Sequence, residues 1–323
     1  MVFHSNGGML DNLRLIELYN NASLGNTENK EDQMKARKDL LENVCSVMNE
    51  NKSVNPAFTK SFRNEYLVHV IANREKKFLY CYLPKIANTN FRRVILGLNG
   101  VVPKEKVGSV DGADVYEKYD KQFQYLKQTD NDKVEEMIQN FKKFIVVRNP
   151  LVRLLSAYLN KFQQHPLDEE RRKFYERIPK FYSKYPQLKR SFWKTLDFRS
   201  KSLTFEDFLA YWTDSFEMNS YLNEHFVPYF LLCNPCDITY DYIAKLETLY
   251  SDVDFIFEKL NIDIPFPGRN DNYSISNTDE LVEKYYKTIP ESLTEKVWHI
   301  LKFDFLMFGY NLPEWLKAKL NLR

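Results

Sequence analysis

FLYCYLPKIANTNFRRVILGL, residues 78–98, is the stretch around which the rest of the chain is organised. Phe78 to Leu83 is a short apolar run rich in aromatics, the composition of a buried strand. Pro84 has no N–H for a sheet ladder, so the strand is expected to stop there. From Phe91 the period changes: Phe91, Val94, Ile95 and Leu98 fall on one face of a helix. Between strand and helix lie Lys85, Ile86, Ala87, Asn88, Thr89 and Asn90, and residues 88 to 90 all have side chains able to cap a helix. A strand feeding a tight turn into a helix aims several N–H groups at one point, where an anion can sit. Lys85 adds a positive charge there. Taken alone, the stretch also reads as an ordinary strand, turn and helix with a surface lysine.

A second stretch repeats the design. Phe144 to Val147 is β-branched and apolar, Arg148 ends it, Asn149 offers an N-cap and Pro150 suits the first helical position. Leu151, Leu154, Leu155 and Tyr158 continue at helical spacing, and Arg153 and Ser156 share a helix face. Arg148, Arg153 and Ser156 are therefore expected to converge on a second anion, since guanidinium forks match phosphate oxygens. Two such sites imply a ligand with two separated anionic groups.

These residues carry a resemblance. PKIANTNFRR resembles the 5′-phosphosulfate loop, and RNPLVRLLSAY the 3′-phosphate motif, of the Golgi carbohydrate sulfotransferases, in particular the chondroitin and dermatan 4-O-sulfotransferase group. HFVPYFLLCNPCDITYDYIAKLET (225–248) and FDFLMFGY (303–310) are similar to later signatures of that family, and RKDLLENVC (37–45) is a weaker match. The resemblance implies a P-loop-NTPase-like sulfotransferase fold, α/β with a central parallel sheet flanked by helices. It implies 3′-phosphoadenosine 5′-phosphosulfate (PAPS) as co-substrate, no metal, and an anionic glycan acceptor such as chondroitin. By resemblance, Pro84 to Asn90 form the donor loop, with Lys85 and Thr89 serving the leaving phosphate. Arg148, Asn149, Arg153 and Ser156 serve the 3′-phosphate. The sequence departs from the family at Asn88 (usually Cys), Phe91 (usually Trp), Asn149 (usually acidic) and Phe226 (usually Trp). Those departures motivate a competing reading, a glycan-binding protein that keeps the fold without turnover. A protein-tyrosine sulfotransferase is a third.

The 323 residues are 28% charged and 44% hydrophobic, a globular composition long enough to bury a sizeable core. The expected division is an N-terminal helical segment, residues 1–50, and one catalytic domain, residues 51–323. No GxxxxGK[ST] occurs, which disfavours a Walker-type nucleoside triphosphatase. MVFHSNGG is not a signal peptide and no apolar run reaches membrane-span length. Family members are usually anchored by an N-terminal membrane helix, so this chain is expected to lack the anchor or to begin after it. Met9, Leu10, Leu13 and Ile16 suggest a first helix, residues 20–32 a loop, and Leu40, Leu41, Val44 and Val47 a second helix. Val134, Met137, Ile138 and Phe141 predict a helix before the second strand, and residues 108–114 a loop. Thr204 is placed as an N-cap with Asp207 at the capping-box position, 238–244 as a strand, and 246–260 and 280–305 as mainly helical. Alternating strands and helices argue for a parallel sheet covered on both faces.

Residues 161–201 hold 12 Lys/Arg against 5 Asp/Glu, with nine aromatics interleaved. Such a segment suits an acceptor groove, with cations for carboxylates and sulfates and rings for sugars. It equally suits a solvated helical surface with its aromatics in the core. No nucleic-acid motif accompanies it. Of the five histidines, His225 is the expected general base, because it lies in a matched motif and imidazole titrates near neutrality. His225 reads equally as a residue that only orders a loop; His165 is the reserve. The four cysteines allow three full pairings. In an oxidising lumen, a Cys233–Cys236 loop closure with Cys45–Cys81 is expected, and one C-x₂-C disfavours zinc. Sequons at Asn21, Asn51 and Asn272 support a secretory route weakly.

Overall fold

The computed structural model describes residues 29–50, 67–164, 169–200, 202–268 and 278–321. The expected helix over residues 9–16, the three sequons, His4 and His165 lie outside the described residues. Five strands form one sheet: β1 (Val70–Asn73), β2 (Phe78–Cys81), β3 (Gln124–Tyr125), β4 (Lys142–Val147) and β5 (Tyr242–Lys245). Their order is β3-β1-β2-β4-β5. Helices of nine or more residues are α1 (Lys30–Glu50), α2 (Asn88–Leu98), α3 (Asn131–Asn140), α4 (Pro150–Tyr158), α5 (Glu169–Lys184), α6 (Phe205–Glu217), α7 (Leu249–Lys259), α8 (Thr278–Lys287) and α9 (Glu291–Met307).

The sheet is mixed, which corrects the expectation of a parallel sheet. β2, β4 and β5 are parallel, but β1 runs antiparallel to β2 and β3 antiparallel to β1. A tight turn explains the reversal, since antiparallel neighbours need no crossover. Asn73 Oδ1 accepts the Lys76 N–H at 2.8 Å, and Lys77 takes a left-handed φ of 51°. The parallel core positions the site. Cys81 is level with Ile145 across the β2–β4 ladder, so both strands end at the same sheet edge, about 4.8 Å apart. The turns that follow them emerge side by side.

Apolar packing holds that edge. Phe91, the first core residue of α2, meets Tyr80, Phe144 and Phe266 at ring-centroid distances of 4.9, 5.7 and 4.7 Å. Burying such a side chain contributes roughly 1.5–3 kcal/mol. A Cβ at Gly97 would stand 2.6 Å from Val107 and 2.8 Å from Ile264, so only glycine lets α2 approach those residues. α1 starts at Lys30, inside the stretch expected to be a loop, and packs on β5 and α9. Arg37 fixes it there, donating to the Ile243 carbonyl (2.8 Å) and to buried Asp252 (2.6 Å). Thr204 accepts from the Asp207 N–H as an N-cap at 3.1 Å. Residues 112–117, partly within the expected 108–114 loop, form a short helix capped by Asp111. The strand expected over 238–244 lies at Tyr242–Lys245, and a break before Glu291 at Pro290 divides the helical C-terminal region in two.

The disulfides correct the expected pairing: Cys45 joins Cys236, and Cys81 joins Cys233. Asn234, at φ 43°, reverses the chain between the last two cysteines, and its carbonyl accepts from the Asp237 and Ile238 N–H groups. Cys233 is thereby turned to β2 and Cys236 to α1.

Candidate active site

The turn after β2 is built on strained backbone. Lys85 (φ 72°) and Ala87 (φ 48°) are both left-handed, although neither is glycine. Each such residue costs on the order of 1–3 kcal/mol and persists only where its surroundings over-determine it. Left-handed residues within a turn point successive N–H groups into one concavity. Among the described residues no acceptor meets the N–H groups of Ile86, Ala87, Asn88 or Thr89. The expectation that an Asn side chain caps α2 is corrected: Ala87 is the N-cap, with no side-chain bond. Asn90 instead donates to the Pro267 carbonyl (3.0 Å) and accepts from Arg93 (2.8 Å). Asn88 is buried, its Oδ1 without a partner. Thr89 shares a hydrogen bond with the Tyr116 hydroxyl at 3.0 Å.

Lys85 is half-buried and pushed down to about 8, by burial first and then by the positive charges of Lys161 and Arg148. No carboxylate among the described residues pairs with it. Three positive charges thus stand close enough to act on one another, and negative charge brought to this turn would be favoured by all three.

The second turn is anchored by residues far away in sequence. Asn149 caps α4 as expected, accepting from the Leu151 and Val152 N–H groups at 3.0 and 3.4 Å. Its own N–H donates to Glu247 (3.0 Å), whose other oxygen accepts from the Tyr310 hydroxyl (3.0 Å). The Tyr229 hydroxyl donates to the Arg148 carbonyl at 2.8 Å. Buried Asp304 accepts from the Tyr229 and Phe230 N–H groups at 2.7 and 3.0 Å. The motifs at 225–248 and 303–310 thus act largely as a frame for the Arg148 turn. Ser156 is half-buried on α4.

Arg153 corrects the expectation that it faces an anion. It is buried, and its guanidinium donates to the carbonyls of Pro84 (3.3 Å), Val227 (2.7 Å) and Glu224 (3.0 Å), over the Tyr229 ring. Spacing put it on the Ser156 face, but a fork with several donors also suits unpaired loop carbonyls. It pins the Lys85 turn to the segment carrying His225.

A cleft of about 770 Å³ opens over the first turn, lined by residues 84–89 with Tyr82, Arg92, Asn160, Lys161, Glu224 and His225. Asn223 Oδ1 accepts the His225 backbone N–H at 3.1 Å and lies 2.6 Å from its Nδ1. A backbone N–H only donates, so that Asn atom is oxygen and Nδ1 carries the ring proton. Nε2 is left as the proton-accepting nitrogen. Glu224 Oε2 lies 3.8 Å from His69 Nε2. His69 is pushed down to about 4 by burial and then by Arg153 and Arg92, so it is neutral at physiological pH. Among the described residues no group of three His, Cys, Asp or Glu is placed to hold a metal ion.

A lysine-led and an arginine-led turn thus follow adjacent parallel strands at one sheet edge, beside an oriented imidazole. The family model described as "Sulfotransferase family" matches residues 68–311. The chain belongs to that family. This sulfotransferase is 32% identical to carbohydrate sulfotransferase 14 of Danio rerio over 86% of the chain and 71% of the relative. It is 28% identical to carbohydrate sulfotransferase 11 of Mus musculus, over 78% and 69%. For carbohydrate sulfotransferase 12 of the same species the figures are 28%, 88% and 70%. No solved structure matches. Neither motif nor spacing assigns a role to Asn223, Glu224 or Lys161, which the fold brings to this site. The first two sit beside His225, and their neighbourhood was the signal for them. Nothing local marked Lys161 among so many lysines.

Proposed function

We propose that this sulfotransferase moves a sulfuryl group from PAPS to a hydroxyl of a carbohydrate, a glycosaminoglycan of the chondroitin type. The β2–turn–α2 unit is read as the P-loop-NTPase-like element of the fold. One observation carries the proposal: two cation-bearing turns leave neighbouring parallel strands at the same edge, beside a cleft holding Lys85 and His225. The residues fit a doubly anionic donor, because the first turn offers unsatisfied N–H groups and the cations lie close enough to depress Lys85.

PAPS supplies the sulfuryl group. Lys85 and the N–H groups of residues 86–89 take up negative charge on the leaving phosphate as its bond to sulfur breaks. Arg148 and Ser156 hold the 3′-phosphate. His225 Nε2 accepts the proton of the attacking hydroxyl while the new oxygen–sulfur bond forms, and Asn223 keeps Nε2 in the right tautomer. The electron pair of the broken bond stays on the phosphate. No step calls on a metal ion. The acceptor is an anionic glycan rather than nucleic acid, and the place of action is the Golgi lumen, where the two disulfides would persist.

The test is transfer of labelled sulfate from PAPS to a panel of chondroitin, dermatan and desulfated heparin acceptors, with linkage analysis of the product. Transfer to a chondroitin-type acceptor, abolished by Lys85→Ala, is expected. Transfer to tyrosine peptides instead, or to no acceptor, would overturn the proposal.

A further inference from the structure

A second hollow, of about 550 Å³, lies beyond the C-terminal end of α5. Its walls include Tyr182, Tyr185, Lys189, Arg190, Trp193 and Lys194. The one-turn helices Pro186–Leu188 and Phe192–Thr195 carry this wall, and Lys189 between them takes a left-handed φ of 52°. Half-buried Trp193 forms an aromatic floor and is backed by buried Tyr182, their rings 12° from parallel with centroids 6.5 Å apart. Trp193 is pinned by donating its indole N–H to the Arg190 carbonyl at 2.8 Å. Arg190 reaches inward to Asp214 at 3.0 and 3.3 Å, and that buried carboxylate also accepts from the Tyr182 hydroxyl at 3.0 Å. One cation is thus used to hold the hollow open.

The other cations are not used that way. Lys184 lies 5.1 Å from the Tyr185 ring and Lys194 5.8 Å from the Trp193 ring. Among the described residues Lys184, Lys189 and Lys194 have no acidic partner, and all three are exposed. Arg190 apart, the basic side chains around this hollow do not resolve into ion pairs among the described residues. They leave point charges at the rim of an aromatic-floored hollow. A lysine ammonium is a compact charge on a flexible stem, able to meet a carboxylate or sulfate from many directions as a chain slides past.

Position supplies the second argument. Phe174, an earlier residue of α5, lies 5.7 Å from the ammonium of Lys161, which lines the catalytic cleft. Tyr182 is eight residues further on, about 12 Å along a helix. On the intervening turn Arg177 lies over Tyr221, which is 63% exposed. A single sugar does not span that distance, but a polysaccharide does. We propose that the hollow is a second glycan subsite, gripping an anionic polysaccharide away from the hydroxyl being sulfated. The proposal rests on the glycan-acceptor reading above.

The test uses the full chain and the double variant Lys189→Ala/Lys194→Ala, with Lys189→Arg/Lys194→Arg as the charge-keeping control. Sulfate transfer is measured on polymeric chondroitin and on a chondroitin tetrasaccharide. The alanine variant is expected to raise KM for the polymer about five- to tenfold, the loss of two rim charges. KM for the tetrasaccharide and both kcat values should stay unchanged, and the arginine variant should restore the polymer KM. Equal effects on both acceptors, or none on either, would overturn the subsite. Binding of chondroitin sulfate polymer is titrated alongside by tryptophan fluorescence, with Trp193→Phe as control. If the wild-type chain transfers no sulfate yet loses this binding in the alanine variant, the subsite stands and the enzymatic reading falls. If single-stranded DNA of matched charge binds as well as the polymer, the glycan assignment falls.

Discussion

Replacing Lys85 by methionine should separate stability from function in opposite directions. The Lys85 ammonium is half-buried beside Lys161 and Arg148 and is pushed from its ordinary 10.5 down to about 8. That lowering corresponds to about 3 kcal/mol of unfavourable interaction for the charged form. Solvent at the cleft mouth screens part of it, so a gain of about 1–3 kcal/mol is expected on removing the charge at pH 7. The sign of the pH dependence follows. Between about pH 8 and pH 10.5 the unfolded wild-type chain binds more protons at this lysine than the folded one, so wild-type stability rises with pH there. The advantage of Lys85→Met should therefore be full below pH 8 and should fade as pH climbs through that window. Urea unfolding of both proteins at pH 7 and pH 10, disulfides intact, reads the effect, and labelled-sulfate transfer reads the function. A variant that gains stability and loses turnover supports the account. A variant that unfolds more readily than wild type at pH 7, or turns over normally, refutes the reasoning about Lys85.

Removing the Asn223 amide oxygen with Asn223→Ala should lower kcat about 10- to 100-fold with little change in KM for PAPS, because the His225 tautomer is no longer set. Asn223→Asp should instead move the acid limb of the kcat/KM profile to higher pH, since a carboxylate stabilises imidazolium; an unmoved limb would count against His225 as base. Arg153→Met strands three loop carbonyls and should lower kcat about 100-fold, the scale of a 1 Å misplacement, while circular dichroism stays native. Arg37→Ala should cost about 3–5 kcal/mol in urea unfolding by leaving buried Asp252 without its guanidinium. Burial alone would raise the Asp252 carboxyl, but Arg37 and the surrounding donors outweigh it and hold it low. Its support is thus full above about pH 4 and fades as pH falls further.

The local signals survived folding well where the chemistry was local. The change from an apolar strand to helical spacing across Pro84 marked the first turn, and the Asn149-Pro150 pair marked the second. Each has a short-range cause that the chain expresses in almost any context. What failed depended on distant partners. Nothing near Arg153 revealed that three carbonyls from two other segments would claim it. Cys233 and Cys236 looked like natural partners from their spacing. The left-handed Asn234 and the positions of β2 and α1 gave them different ones. β1 was missed because four residues leave little periodicity to read, and its reversed direction is set by the Asn73 turn. Ala87 could not be foreseen as an N-cap, because a non-glycine left-handed residue is a property of the assembled site.

The central claim is that the two turns hold opposite ends of one nucleotide. Calorimetric affinities for adenosine 3′,5′-bisphosphate and for 5′-AMP, in wild type and Arg148→Ala, test it most directly. The account predicts that wild type prefers the bisphosphate by about tenfold or more, and that Arg148→Ala erases this preference while leaving 5′-AMP binding nearly unchanged. Equal weakening of both nucleotides, or an undiminished preference in the variant, would contradict it.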